Sequence, residues 1–501
     1  MDLLNLIGGR WVEGDGEEFA DTNPARPSEV VARGRFASAA EVERAVAAAR
    51  SAAPGWAATP HHARAAVLVA AADIVDAAAD EWGAELAREE GKTLPEAVAE
   101  VRGSARILRY YAGEADRESG ELFASPRPGE NVLVVRKPIG VAGLITPFNF
   151  PIVIPAWKIA PALSYGNTVV WKPSSLVPLL AYRLAQALTS AGLPDGVLNL
   201  VYGEADAGSA IVDHPGVDAI SFTGSTAVGR AVIARCGELG KPVQTEMGGK
   251  NASVVLADAD LDHAAEQVCL GAFRSTGQKC TATSRLIVAS QVADELLERV
   301  ADRAARLVVG DPLSPDVEMG PLVSSAARDR VTSGVARAVD EGAKPLAGSS
   351  PYDGAKPLAG SSPYEGAKPL AGSSPYDGDG WFVPPTVLDL PGTGVDFWRT
   401  ELFGPVVGAV RASGTEEALA LANLSDHGLS AAIFTRDLGV ALRSIERLDV
   451  GVLHVNSESA GTFPYVPFGG VKQSGFGPKE QGRAAREFFT HTMTVYLGAP
   501  A

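Results

Sequence analysis

Cysteine is scarce: three in 501 residues, Cys236, Cys269 and Cys280. They form no CxxC pair and stand beside no histidine cluster, which argues against a disulfide framework and a structural zinc site and makes a reducing cytoplasm the expected home. No block of basic residues occurs either. Lys plus Arg total 44 against 60 Asp plus Glu, a formal charge of −16 spread along the chain. A nucleic-acid partner is therefore not expected, and an anionic ligand must be held locally by a few cations and backbone amides. Long apolar runs are missing as well. The most apolar tract, residues 139–166, is interrupted by Pro147, Pro151, Pro155, Lys158 and Pro161, so it reads as buried strand and loop and not as a membrane span. The opening MDLLNLIGGRW has no basic n-region and long apolar core, so no secretion signal is visible.

What is present is ordinary globular composition, 46% hydrophobic and 21% charged, over a length that predicts two or three domains. Residues 38–116 are Ala-rich with helical periodicity and predict two or more amphipathic helices opening the protein. From Asn131 short apolar runs (VAGLIT, NTVVWKP, VLNLVYG, AISFTG, PVQTEMGG) alternate with helical stretches such as LLAYRLAQALTSAG. Continuous apolar runs between helices predict a parallel sheet covered on both faces, the doubly wound α/β architecture. The alternation resumes after Cys280 with SRLIVAS, GAVRAS, AAIFTRD and GVLHVN, predicting a second such domain. NVLVVRKPIG and the C-terminal TMTVYLG are candidate edge segments for pairing between subunits. Residues 343–378 hold three near-identical copies of AKPLAGSSPYDG, whose Gly, Pro and Ser content predicts turns without a packing stripe and reads as a tandem duplication in a surface loop.

Cys236 and Cys269 sit in apolar helical patterns, as packing residues do. Cys280 instead follows Gly277-Gln278-Lys279 in STGQKCTATSR, where a thiol is reachable and local dipoles can favour its thiolate. Taken alone it is either a filler or a nucleophile. Glu246, in QTEMGGKN, ends a strand beside two glycines and is either a solvated loop charge or a carboxylate placed for chemistry.

EMGGKN followed 34 residues later by GQKC resembles the general base and nucleophile of the NAD(P)-dependent aldehyde dehydrogenase superfamily. PFNFP (147–151), WKPS (171–174), FTGSTAVG (222–229), ELFGP (401–405) and PFGG (467–470) resemble further segments of that family, in order and over nearly the whole chain. The resemblance implies an α/β fold of two doubly wound Rossmann-like domains plus a small β oligomerisation element. The cofactor-binding domain is expected at 1–119 and 139–248, the catalytic domain at 249–473, and the oligomerisation element at 120–138 and 474–501. It implies Cys280 as nucleophile, Glu246 as general base for thioester hydrolysis, and Asn149 with the Cys280 backbone N–H as oxyanion donors. Lys158 and Glu480 are the implied proton relay. Thr146, Pro147, Phe148, Lys172, Ser175, Gly224, Ser225, Gly248, Glu401 and Phe403 are the implied cofactor contacts, Ser225 at a helix start for the pyrophosphate. No metal is implied, and a homo-oligomer, dimer or tetramer, is.

Family members that prefer NAD usually carry a glutamate where this chain has Ser175. Its absence beside Lys172 predicts that NADP is accepted as well as NAD, or preferred to it. The stretch STGQKCTATSR (275–285), the C-terminal tail and the length without two repeat copies resemble 2,5-dioxopentanoate (α-ketoglutarate semialdehyde) dehydrogenases. Ser457 and Arg285 are candidate recognition groups for an anionic aldehyde, and Phe150, Trp157 and Phe463 for an apolar funnel. Succinate semialdehyde and broad aliphatic or aromatic aldehydes are the alternative substrates. A CoA-acylating branch generally lacks the base that Glu246 resembles, and a non-catalytic descendant is expected to have lost Cys280, Glu246 or Asn149.

Overall fold

The computed structural model describes residues 1–348 and 379–498. Five short strands between Asp2 and Arg35 precede the first helix, where helices were expected to open the protein. Segments such as Asn5–Ile7 and Arg10–Val12 are too brief to show a strand period, and they form by pairing: Leu6 opposes Leu200 and Trp11 across a sheet. Helix Ala39–Ala58 then begins at a capping box, in which Ser38 Oγ accepts from Glu41 N and Glu41 Oε2 accepts from Ser38 N at 2.9 Å. Helices His61–Ala77, Ala79–Glu90 and Leu94–Ala112 follow. Gly91 stops the third with φ +99°, and a Cβ there would lie 2.9 Å from Pro321.

Strands Val243–Glu246, Ala219–Thr223, Val141–Ile145, Thr168–Lys172 and Leu198–Leu200 run parallel in that spatial order, with antiparallel Asn5–Ile7 and Arg10–Val12 beyond one edge. Every residue of the four strands from Val141 to Thr223 that lie inside this set is buried, apart from Ile145, because helices cover both faces. Residues 474–489, expected in the oligomerisation element, belong here instead. Gly475–Phe476 pairs antiparallel with Thr245 and Glu246, and Ala485, Phe488 and Phe489 pack into the core of this domain. The chain crosses to the second sheet at Met247–Lys250. Asn251–Val255 lies inside a sheet whose order is Lys344–Ala347, Thr386–Asp389, Val406–Ala412, Thr283–Ala289, Asn251–Val255, Ser430–Phe434, Val452–Val455. All of its pairings are parallel except that of Lys344–Ala347.

That exception corrects one reading of the repeat. The first copy supplies an edge strand, Lys344–Ala347, antiparallel to Thr386–Asp389, so its opening residues are sheet and not turn; residues 349–378 of the repeat lie outside the described residues. A third, three-stranded sheet joins Gly120–Ala124, Asn131–Pro138 and Thr490–Leu497, in full register from Thr490↔Pro138 to Leu497↔Asn131.

Carboxyls are buried between these layers. Glu89 accepts from Leu179 N and Leu180 N, the first free amides of helix Leu179–Ser190, and burial with the neighbouring Asp21 pushes its pKa well up. Burial likewise pushes Asp21 and Glu90 up to about 8.

Candidate active site

Four parallel strands of the first sheet end level with one another: Ile145 opposes Lys172 and Phe222, and Thr223 opposes Glu246. Their carboxyl ends form the floor of a cavity of about 770 Å³, the crevice where open α/β sheets bind ligands. The other wall comes from the second domain through Cys280, Arg330, Glu401 and Phe403. The cavity thus collects Asn149, Glu246 and Cys280, which lie 97 and 34 residues apart in the chain.

Cys280 sits at the end of a left-handed turn. Ser275, Thr276 and Gly277 have φ of 52°, 54° and 65°, and a Cβ on Gly277 would meet Gly404 O at 2.3 Å. Gln278 holds this loop three ways: its N–H donates to Ser275 O, its Oε1 accepts from Val323 N at 3.1 Å, and its carbonyl accepts from Asn149 Nδ2 at 2.8 Å. Beyond the turn, Asn251 Nδ2 donates to Cys280 O at 2.7 Å and to Ala282 O at 2.9 Å. Sequence reasoning missed Gln278 and Asn251; the Asn that follows EMGGK was the available signal. Cys280 itself is half-buried, whereas Cys236 and Cys269 are buried. Its thiol is pushed up to about 12, first by burial and then by the charges of Glu246, Glu401 and Glu480. The expected dipolar stabilisation of a thiolate is thus outweighed by desolvation and three carboxylates.

Glu246 is buried and its Oε2 accepts from Gly470 N at 3.1 Å. Gly469 lies so close that a Cβ would be 2.2 Å from Glu246 Oε1, so the PFGG glycine is the space the carboxylate occupies. Burial, then Glu480, holds the Glu246 pKa well above the usual carboxylate range. Behind it Glu480 is ion-paired with Lys158, both buried, and Lys158 Nζ donates to Ser221 Oγ at 2.8 Å. Ser221 Oγ in turn donates to Gln244 Oε1 at 3.0 Å.

Thr146, Pro147, Phe148, Lys172, Ser175, Gly224, Ser225, Gly248, Glu401 and Phe403 all line the cavity. Ser225 caps helix Thr226–Leu239, its Oγ accepting from Val228 N, so the first amides of that helix face the crevice. Glu401 accepts from Gly249 N at 3.0 Å and approaches Gly248 so closely that a Cβ there would lie 2.0 Å from its Oε2. Burial raises its pKa to about 7. Phe403, at φ 56°, meets Phe148 edge to face at 5.7 Å. Lys172 Nζ donates to Gly203 O at 3.0 Å, and Glu204, unremarked in the sequence, lines the same end.

The substrate candidates separate. Trp157 lines the cavity, packed on Phe468 at 5.7 Å. Phe150 sits under the Lys92 ammonium at 4.1 Å. Phe463 is 61% exposed and stacked on Tyr465, and neither it nor Ser457 reaches the cavity lining. Arg285 is a correction. It lies on strand Thr283–Ala289, is 2% exposed, and donates to the carbonyls of Lys250, Leu421, Ala422 and Leu424 while stacking on Trp398. It closes the C-terminus of helix Thr415–Asn423, spends four of its five N–H bonds on these carbonyls, and does not line the cavity.

No cluster of residues able to hold a metal ion occurs among the described residues. No helix among them is long and apolar enough to cross a membrane. The model of the Aldehyde dehydrogenase family matches residues 11–363 and 360–495, meeting at the repeat. The chain is 40% identical over 496 residues to the alpha-ketoglutaric semialdehyde dehydrogenase of Bacillus subtilis (strain 168), covering 99% of this chain and 98% of that one. It is 36% identical to the 2,5-dioxopentanoate dehydrogenase of Saccharolobus solfataricus, over 99% and 100% of the two chains. Among solved structures it is similar to PnpE in complex with nicotinamide adenine dinucleotide, with a TM-score of 0.90, 36% identity, and 100% and 98% of the chains covered. A match that spans both domains and both walls of the cavity leaves one conclusion: the chain belongs to the aldehyde dehydrogenase family.

Proposed function

We propose that this aldehyde dehydrogenase oxidises 2,5-dioxopentanoate to 2-oxoglutarate, with Cys280 as nucleophile and Glu246 as general base. The observation that carries the mechanism is the single cavity that brings Cys280, Asn149 and Glu246 together at the strand ends. The Cys280 thiol releases its proton to solvent through the open cavity, its sulfur adds to the aldehyde carbon, and the new oxyanion is received by Asn149 and the Cys280 N–H. A carboxamide has two N–H bonds; one of Asn149's goes to Gln278 O, leaving the other for the substrate oxygen. Loss of hydride from carbon leaves a thioester on Cys280. Glu246 takes a proton from water, the hydroxide adds to the thioester, and C–S cleavage releases the acid and restores the thiol. The buried Lys158–Glu480 pair lies behind Glu246 and would exchange protons with it between turnovers.

The residues fit a nicotinamide dinucleotide. Thr223 Oγ1 is buried without a hydrogen-bond partner beside the amides that open helix Thr226–Leu239, as a pyrophosphate site requires, and Gly248 leaves the room a ribose held by Glu401 needs. When bound, the cofactor supplies the hydride acceptor. Ser175 and Lys172 would hold the adenosine ribose, and we assign acceptance of both NAD and NADP.

The substrate reading is supported by the names of the relatives at 40% and 36% identity. Catalytic efficiencies for 2,5-dioxopentanoate, succinate semialdehyde and benzaldehyde, each with NAD and NADP, test it. 2,5-Dioxopentanoate is expected to rank first; a tenfold advantage (about 1.4 kcal/mol) for either other aldehyde would overturn the assignment.

A further inference from the structure

We infer that Lys92 is a positioning residue for the reaction, bracing Asn149 against the Cys280 loop. The inference rests on the reading of Asn149 as an oxyanion donor. Lys92 is 1% exposed and lies one residue after the glycine that ends helix Ala79–Glu90. Its ammonium donates to Asn149 O at 2.7 Å and to Glu100 Oε2 at 2.6 Å, and sits over the Phe150 ring. Glu100 Oε1 accepts from Ile152 N and Val153 N at 3.2 and 3.3 Å, where helix Val153–Ser164 begins. That helix carries Trp157 and Lys158.

One ion pair therefore fixes the backbone of Asn149 and the start of the next helix together. Helix Leu94–Ala112, which carries Glu100, also reaches the turn that leads to Cys280. Glu96 closes a capping box on Thr93 with one oxygen and accepts from Ser275 N at 2.8 Å with the other. Asn149 is thus held at both ends, its carbonyl by Lys92 and its carboxamide by Gln278 O two residues before Cys280. Burying a Lys and a Glu side by side costs more than packing two apolar residues of similar size. The return on that cost here is geometric, because both partners spend their hydrogen bonds on backbone that carries site residues.

The test is a double-mutant cycle on kcat, with cofactor Kd measured by fluorescence: wild type, Lys92→Met, Asn149→Ala and the two together. Lys92→Met is expected to lower kcat by about 10- to 100-fold, the cost of misplacing a reacting group by about an ångström. Cofactor Kd should stay within about threefold, since no cofactor contact is touched. In the Asn149→Ala background the same change should cost less than about threefold, because the group being positioned is gone. Equal factors in both backgrounds, or a Lys92→Met enzyme within twofold of wild type, overturns the inference. Lys92→Met leaves Glu90 and Glu100 without their cation, so the cycle is repeated with Lys92→Met/Glu100→Gln, which keeps an acceptor for Ile152 and Val153. If both variants fail to fold while Asn149→Ala folds, Lys92 is a structural residue and the inference fails. Undiminished kcat in Asn149→Ala alone would instead sink the oxyanion assignment beneath it.

Discussion

Replacing Arg285 with Met separates two readings of one side chain. As a substrate cation it would affect KM; as the closure of a helix end it should affect stability. The guanidinium makes four hydrogen bonds to buried carbonyls at 2.7 to 3.2 Å. Charged hydrogen bonds contribute roughly 1.5–3 kcal/mol each, so the gross loss is several kcal/mol. Against this stands the cost of burial, which drops the Arg285 pKa to about 10 and corresponds to roughly 3 kcal/mol. A cavity of about 10 Å³ beside Arg285, Ala422 and Lys250 has room for a water that can meet one of the freed carbonyls. The net destabilisation is then ~3–5 kcal/mol, in the range for removing one member of a buried charged contact. For a domain near 250 residues this lowers Tm by roughly 6–20 °C. Thermal unfolding should show that fall, while the ratio of KM values for 2,5-dioxopentanoate and benzaldehyde, measured on the folded enzyme, stays at the wild-type value. An unchanged Tm with KM raised selectively for the anionic aldehyde would falsify the helix-closing role.

Three further outcomes follow from the site. Glu246→Gln should accumulate acyl-enzyme and lower kcat by about 10²–10⁴-fold. In the wild type the base works only as carboxylate, so kcat should fall as pH drops through the raised Glu246 pKa; an identical acid limb in the Gln variant would assign that limb to another group. Alkylation of Cys280 by iodoacetamide in cofactor-free enzyme should climb continuously from pH 6 to 9, because thiolate is scarce below a pKa of about 12; a plateau near neutrality would contradict the desolvated thiol. Ser175→Glu should reduce efficiency with NADP by at least about tenfold while leaving NAD nearly unchanged, read from parallel kcat/KM measurements. An NADP efficiency that does not move places the 2′-phosphate elsewhere.

The parallel strands were legible because each is a continuous apolar run between helices, and strand ends such as Lys172, Thr223 and Glu246 could be placed from the runs alone. The first three opening strands were not, since two- and three-residue segments take their conformation from partners up to 194 residues away, as Leu6 does from Leu200. Arg285 misled by nearness: five residues after Cys280 is close in sequence, but Arg285 already lies on strand Thr283–Ala289, and its guanidinium is spent on Lys250 O and the carbonyls that end helix Thr415–Asn423. Lys92 escaped notice for the opposite reason. Its partner Asn149 is 57 residues distant, and a Gly-Lys pair after a helix looks like an exposed terminus. The same long reach hid the true bounds of the third sheet, which takes Thr490–Leu497 but not residues 474–489, which seal the first domain.

Protons trapped by the fold alter the molecule's electrical identity. The count of −16 treats every carboxyl as ionised. Burial pushes Asp21 and Glu90 up to about 8 and Glu89 and Glu246 well above the ordinary range, so at neutral pH the native protein retains protons that the unfolded chain has released. A carboxyl raised in this way contributes stability that is whole below its unfolded value and is lost as pH climbs through its native one. Unfolding near pH 7 must therefore acidify a weakly buffered solution, and the native enzyme should focus at a higher isoelectric point than the same chain in urea.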